Sequence, residues 1–221
     1  MKCLICHGEI IPDVTWVTFW RLPDKKQCCR SCSHAFRIIE NPGCLKCGRP
    51  DGDGICPDCR QWQVTNPGLL EWNRSVFSYE EAARDFVARW KYRGDYALLE
   101  ALIPEVQRIF KREQLGEVSF LAVPLSIERE KERGFNQSEA IIHHLGLKPI
   151  HAFKRVHSGK QAKKGRQGRL RGINPFSLVT EVDGPCVIVD DIYTTGRTIR
   201  HMAALLKQSG CPAVYSFTLF R

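Results

Sequence analysis

The spacing of apolar positions divides the chain near residue 62. Beyond that point the pattern alternates between two periods. Glu80–Tyr92 places Ala82, Ala83, Phe86, Val87 and Trp90 at the three- and four-residue steps that gather side chains on one helix face. Asp95 stands where a second helix would be capped, running to about Leu115 with Leu98, Leu99, Leu102, Val106 and Phe110 inward and Pro104 set to kink it. Val118–Val123 reads as a strand, Ser138–Leu145 as a helix capped by Asn136 or Ser138, and Ile150–Val156 as another strand. Cys186–Val189 is a short apolar run between Gly184-Pro185 and Asp190, the form of a buried parallel strand. A helix from about Gly196 to Gln208 follows, ended by Gly210 in the left-handed conformation, and Ala213–Phe220 closes the pattern as a strand. Strands alternating with helices predict an α/β fold, a parallel sheet with helices on both faces. His157–Asn174 has no period and reads as a long loop, of the kind that is usually functional or disordered.

Before residue 62 the periodicity gives way to short turn-rich segments such as NPGCLKCGRPDGDGICPDC. Nine of the eleven cysteines fall in residues 1–59, which makes residues 1–62 a separate small module ahead of a domain of residues 63–221. No run of about 18 apolar residues exists, so no membrane insertion is expected. The start, MKCLICHGEI, lacks the apolar stretch of a secretory signal, and the expected location is the cytoplasm. In that reducing compartment clustered cysteines read as metal ligands before disulfides.

Four C-x-x-C pairs stand in order: Cys3/Cys6, Cys29/Cys32, Cys44/Cys47 and Cys56/Cys59. One tight turn presents two thiolates, and two turns complete the tetrahedron that zinc prefers. Sequential grouping closes shorter loops than interleaved grouping, so it is the simpler arrangement. It gives one site from Cys3, Cys6, Cys29 and Cys32 and a second from Cys44, Cys47, Cys56 and Cys59. Cys28 could replace Cys29, but Cys29 gives the matching spacing. Two structural Zn²⁺ ions with no open ligand position are the expectation, and they would supply most of the folding energy of so small a module. His7 and His34 read as surface neighbours, and Cys186 and Cys211 as core residues.

The net charge of +9 is concentrated. Residues 140–180 carry nine basic and no acidic side chains, which points to a local anionic ligand rather than to a generally basic protein. Lys160, Lys163, Lys164, Arg166 and Arg169 are its densest part.

Val187–Ile199 carries the most specific chemistry. A buried strand delivers Asp190 and Asp191 at its carboxyl end, where ligands bind in open α/β sheets. Thr194, Thr195, Gly196, Arg197 and Thr198 then lead into a helix, whose first N–H groups and small hydroxyl residues suit a phosphate. The two carboxylates would repel that phosphate and suit ribose hydroxyls or a bound Mg²⁺ instead. The segment resembles the phosphoribosyl pyrophosphate signature of type I phosphoribosyltransferases. That resemblance implies ribose-hydroxyl contacts for Asp190 and Asp191, the catalytic candidates if the chain is an enzyme, and a 5-phosphate site in Thr194–Thr198. Upstream, Val123-Pro-Leu-Ser126, Arg129 and Arg133-Gly-Phe-Asn-Gln137 form a basic loop after a strand. At this place the resemblance implies a pyrophosphate site, with Leu125, Ser126, Arg129 and Arg133 as candidates.

The order of a double zinc ribbon, Lys91-Tyr-Arg-Gly-Asp95, the Val-Pro-Leu and Arg-Gly-Phe-Asn-Gln segments and the phosphoribosyl signature looks like the competence protein ComF family over essentially the whole chain. Lys131 stands where an Arg is common in the family, and Gly172 where an Asn is common. The resemblance implies a type I phosphoribosyltransferase-like domain, Mg²⁺ bound with phosphoribosyl pyrophosphate, a role in natural transformation, and a helicase-like ATPase of the uptake machinery as partner. Two functions remain open at this level. One is a transferase with pyrophosphate leaving ribose C1 under the lid of residues 157–174. The other is a non-catalytic adaptor binding single-stranded DNA, with the phosphoribosyl site as a sensor.

Overall fold

The computed structural model describes residues 1–11, 16, 20, 26–156 and 174–221. Four parallel strands form the central sheet among these residues: β1 (Asn73–Phe77), β6 (Val214–Phe220), β5 (Cys186–Ile192) and β2 (Ser119–Ala122), in that spatial order. A parallel bridge between Leu121 and Ile150 covers the outer edge of β2, and an antiparallel bridge between Ile38 and Phe77 covers that of β1. Both edges are thus shielded from pairing with another chain.

Helices lie on both faces. On one side α3 (Glu81–Tyr92), a 3-10 turn (Tyr96–Ala101), α4 (Ile103–Arg112) and α6 (Gln137–His144) pack over Val187, Val189, Phe217 and Leu219. Trp90 is fully buried there, stacked near Phe86 and Phe135. On the other side α7 (Arg197–Gln208) lays Ile199, Met202, Ala203 and Leu206 against Cys186 and Ile188. The α/β class, its parallel sheet and its two helical layers are as the periodicity predicts.

Four local expectations are corrected. First, the single helix from Asp95 to Leu115 is two elements, because Pro104 occupies the first turn of α4 rather than its interior. Asp95 makes no side-chain cap and pairs instead with Arg89 at 3.1 Å. Second, the Arg-rich stretch read as a loop contains α5 (Ile127–Arg133). It buries no residue, so no apolar stripe announces it. Ser126 caps its start by accepting from the Arg129 N–H, and Gly134 ends it at φ 73°. Third, Ile150–Val156 shortens to β3 (Phe153–Arg155), which pairs antiparallel with β4 (Phe176–Leu178) in a separate two-stranded sheet. Fourth, β1 has no counterpart in the apolar pattern. Its inward positions Asn73 and Ser75 are polar, and they are satisfied across the sheet. Ser216 Oγ donates to Asn73 Oδ1 at 2.8 Å, and the Ser75 and Thr218 hydroxyls lie 2.7 Å apart.

The cysteine-rich module sits on the sheet through two attachments. Phe36, Leu4 and Ile5 join the α3 face, where Arg89 donates to the Leu4 and Ile5 carbonyls. Cys44, Cys47 and Cys59 join the α7 face, and Asn73 Nδ2 donates to the Cys47 carbonyl at 3.0 Å. Two short helices belong to this module: α1 (Arg30–His34), and α2 (Pro57–Thr65), which runs across residue 62.

Candidate functional site: a carboxylate pair, an anion loop and an arginine cluster

The chain leaves β2 toward the Ile150 edge by way of α6, and leaves β5 in the opposite direction, by way of α7 to β6. The crevice between the carboxyl ends of β2 and β5 is therefore the switch point of the sheet, the place where open α/β folds receive ligands. The two segments singled out in the sequence, after Val123 and after Val189, meet there because their strands are neighbours.

Asp190 and Asp191 end the buried part of β5. Asp191 shares the parity of Val187 and Val189 and faces α3, where Lys91 pairs with it; the two side chains are 14% and 12% exposed. Asp190 accepts from the Asp191 N–H at 2.9 Å. Burial, and then the neighbouring Asp191, push the Asp190 carboxyl well above the usual carboxylate range. One lysine against two carboxylates leaves a demand for positive charge or for hydrogen-bond donors at Asp190.

The loop Tyr193–Gly196 follows. Gly196 takes φ 73°, and a Cβ there would collide with Tyr193 Oη and the Arg200 guanidinium. Both the conformation and the space call for glycine. Thr194, Thr195 and Arg197 are exposed and Thr198 is half-buried at the start of α7. The Thr195 hydroxyl caps the turn by accepting from the Arg197 N–H at 3.3 Å.

Opposite, Leu125 and Ser126 are half-buried in the turn after β2, Arg129 is exposed, and Arg133 donates to Gln137 Oε1 at 2.7 Å. The Arg-Gly-Phe-Asn-Gln segment proves largely architectural. Gly134 ends α5, and Phe135 packs on Trp90 and Tyr96. Asn136 caps α6 while its Nδ2 donates to the Val123 carbonyl at 3.0 Å, fixing the end of β2.

Two residues with no assigned role in the sequence join the site. Lys91 is one. Arg155 of β3 is the other, its guanidinium 5.6 Å from the Phe176 ring centroid. Burial lowers the Arg155 pKa, and the positive charges of Arg129 and Arg133 lower it further against the pull of Asp190. Arg155 therefore lies within the electrostatic reach of Arg129, Arg133 and Asp190. Lys91 opens the Lys91–Asp95 segment, which carries no site role in the sequence, and Arg155 belongs to no marked segment. Lys160, Lys163, Lys164, Arg166 and Arg169 lie outside the described residues.

The eight paired cysteines form two groups, Cys3, Cys6, Cys29, Cys32 and Cys44, Cys47, Cys56, Cys59, with all sulfurs of each group within 4.8 Å of one another. The Cys6–Cys29 and Cys47–Cys56 sulfurs are 3.8 and 3.7 Å apart. A tetrahedron of Zn–S bonds near 2.3 Å has edges of about 3.8 Å, so the donor sets fit that ion. Burial opposes ionisation of Cys3 and Cys44, yet backbone N–H groups of their own turns and of Cys29 and Cys56 in the facing turns bring both down to about 6. Cys28 lies outside the group: its thiol points to the Cys29 carbonyl and is pushed up to about 12, by burial first. His7 and His34 are exposed and lie in neither group. Cys186 and Cys211 are buried core residues, as expected.

Fold and site define an α/β protein of the type I phosphoribosyltransferase-like class that carries an amino-terminal module with two cysteine clusters. No family model matches the chain. It is 34% identical over 227 residues to Competence protein ComFC of Bacillus subtilis (strain 168), covering 99% of this chain and 94% of that protein. It is 30% identical over 224 residues to Competence protein ComFC of Streptococcus pneumoniae (strain ATCC BAA-255 / R6), covering 100% of each. DNA utilization protein YhgH of Salmonella typhi is 32% identical over 210 residues, 87% of this chain and 89% of that protein. The chain belongs to the competence protein ComF family. No helix among the described residues is long and apolar enough to cross a membrane.

Proposed function

We propose that the protein binds phosphoribosyl pyrophosphate with Mg²⁺ in the β2–β5 crevice and serves competence and DNA uptake. Two observations support the ligand assignment: the segments that carry Asp190 and Arg129 follow neighbouring strands at the switch point, and Arg155 feels the charges of Arg129, Arg133 and Asp190 together. A pyrophosphate joined to a ribose suits both signs of charge, with its phosphates toward the arginines and its ribose hydroxyls toward Asp190 and Asp191. The 5-phosphate takes the Thr194–Thr198 loop, and Leu125 and Ser126 close the pyrophosphate side. When bound, Mg²⁺ supplies charge neutralisation for the pyrophosphate oxygens and for the unpaired carboxylate. If transfer occurs, the arginines stabilise the negative charge that develops on the leaving pyrophosphate. Names of relatives supply the biological role, competence and DNA utilization.

In this reading each cysteine cluster holds a structural Zn²⁺. Residues 1–62 and 63–221 act as module and domain, and the basic tract Lys160, Lys163, Lys164, Arg166, Arg169 meets anions, pyrophosphate or single-stranded DNA. A helicase-like ATPase is the proposed machinery partner. The test is calorimetry with phosphoribosyl pyrophosphate, ribose 5-phosphate and pyrophosphate, with and without Mg²⁺. The intact compound should bind tightest and need Mg²⁺. Equal affinity for pyrophosphate alone would overturn the ribose assignment.

A further inference from the structure

The anion loop is held from behind. Arg221 Nη1 donates to the Tyr193 and Thr194 carbonyls at 3.2 and 2.8 Å. The indole N–H of Trp62 donates to the Thr195 carbonyl at 3.2 Å. In a trans peptide the C=O and the following N–H point in opposite directions. Fixing the carbonyls of residues 193, 194 and 195 therefore turns the N–H groups of Thr194, Thr195 and Gly196 to the other side. Three consecutive backbone donors then share one concavity, the arrangement that receives a phosphate.

Both holding residues are anchored in the second cysteine cluster. Arg221 spends the rest of its guanidinium on Cys47, with Nη2 3.1 Å from Cys47 Sγ and Nε 3.1 Å from the Cys47 carbonyl. Trp62 lies on α2, whose cap is Cys56 and whose first turn carries Cys59. Arg200 ties the two sides again, lying 4.6 Å from the Trp62 ring centroid and donating to Tyr193 Oη at 2.5 Å. Beside these contacts opens a cleft of about 690 Å³ lined by Gln61, Trp62, Thr194 and Thr195. At Thr194 and Thr195 the loop is thus held to the module by hydrogen bonds, while Tyr193 packs into the same core as Cys47 and Cys59.

We propose that Arg221 and Trp62 are positioning residues that couple the Cys44/Cys47/Cys56/Cys59 metal site to the phosphate loop, so that filling the metal site preorganises the loop for its anion. The inference rests on the phosphoribosyl reading only for the identity of the ligand. Coupling between two sites is reciprocal. A ligand in the loop must then tighten metal binding at the cluster by the factor by which the metal tightens the ligand. A residue that supports a metal ligand from outside commonly shifts affinity by about 10–100-fold, and a change at the lower end of that range is expected here.

The experiment uses the full zinc-loaded chain as wild type, Arg221→Ala, Arg221→Lys and Trp62→Phe. Three quantities are measured: affinity for phosphoribosyl pyrophosphate with Mg²⁺, the extent of zinc transfer at equilibrium to a competing chromogenic chelator with and without that compound, and the backbone amide resonances of Thr194, Thr195 and Gly196 without ligand. Arg221→Ala should weaken binding about tenfold, increase zinc loss and abolish the protection by ligand. Arg221→Lys keeps a charge beside Cys47, but one ammonium cannot serve Cys47 and the two loop carbonyls together as the planar guanidinium does, so it should restore zinc retention and not ligand affinity. Trp62→Phe keeps the stacked ring and loses only the donor to Thr195. It should shift the loop amides without changing zinc content, and it carries the test if Arg221→Ala fails to fold. Unchanged loop amides in Arg221→Lys and Trp62→Phe, or wild-type zinc loss indifferent to a bound ligand, would overturn the proposal. If wild type does not bind the compound at all, the phosphoribosyl reading fails, and the loop amides still decide whether the coupling exists.

Discussion

Lys91, in the last turn of α3, pairs with Asp191 near the end of β5, and the contact makes the two adjacent carboxylates of the site unequal. Asp191 has its counter-charge from the protein. Asp190 accepts from the Asp191 N–H at 2.9 Å, and the pull of Lys91 on it is outweighed by burial and by Asp191. Asp191 is thereby held by the fold, and Asp190 is the carboxylate without a paired cation among the described residues.

Removing Lys91 would strand a buried charge. Deleting one member of such a pair typically costs about 3–5 kcal/mol, whereas replacing both with matched apolar groups is often neutral. Lys91→Met should therefore lower unfolding stability by about that amount, and Lys91→Met with Asp191→Leu should recover most of it. Urea denaturation of the three proteins at neutral pH checks this. Equal stability of wild type and Lys91→Met would show that the pair is solvated.

Asp190 should act against stability at neutral pH. A carboxyl whose folded pKa exceeds its unfolded value, about 3.9, binds its proton more tightly in the folded chain. Its stabilising contribution is complete below the unfolded value and is lost as pH rises through the folded one. Asp190→Asn cannot ionise, so it should be more stable than wild type near neutrality, and the advantage should vanish at pH values below about 4. It should also lose Mg²⁺-dependent binding of phosphoribosyl pyrophosphate. Unfolding curves at the two pH values and one titration test both halves.

Arg155→Gln should leave the fold intact and weaken the ligand. The substitution removes a positive charge that Arg129 and Arg133 crowd, so stability should hold or rise. A hydrogen bond to a charged group contributes about 1.5–3 kcal/mol, which corresponds to roughly a 10- to 150-fold loss of affinity for pyrophosphate-bearing ligands. Affinity for ribose 5-phosphate should change much less. An equal loss for both ligands would place Arg155 away from the pyrophosphate.

What the sequence made legible here is what is local. Val187–Ile199 announces itself because an apolar run, two acids, a glycine and an amphipathic helix stand in one stretch, and the cysteine pairs announce themselves by spacing. What it hid depends on partners far along the chain. β1 looks too polar for a buried strand until Ser216 and Thr218, 143 residues away, meet Asn73 and Ser75. α5 is held by its two caps and presents no buried face. Lys91 and Arg155 lie in separate elements from the carboxylates they serve, and Arg221 reaches back 174 positions to Cys47. Periodicity reports which face of an element is buried, not which distant charge will face it.

The vicinal pair Cys28-Cys29 gives the sharpest test of the metal sites. Spacing alone allows either residue as the third ligand of the first cluster. The structure separates them: Cys29 Sγ is 3.8 Å from Cys6 Sγ, and the Cys29 N–H donates to Cys3 Sγ at 3.3 Å, a contact that favours a thiolate there. Cys28 turns its thiol to the Cys29 carbonyl, and its sulfur lies outside the group of four that close within 4.8 Å of one another. Wild type should therefore carry two zinc ions per chain, one for each sulfur group. Cys28→Ser should keep both. Cys29→Ser should lose the first and keep the second, because the two groups share no ligand. Cys47→Ser should lose the second and, through Arg221, disturb the loop amides at residues 193–196, which Cys29→Ser should leave in place. Elemental analysis of the four untagged proteins, paired with their amide spectra, measures both effects. Loss of zinc in Cys28→Ser with retention in Cys29→Ser would reverse the ligand assignment.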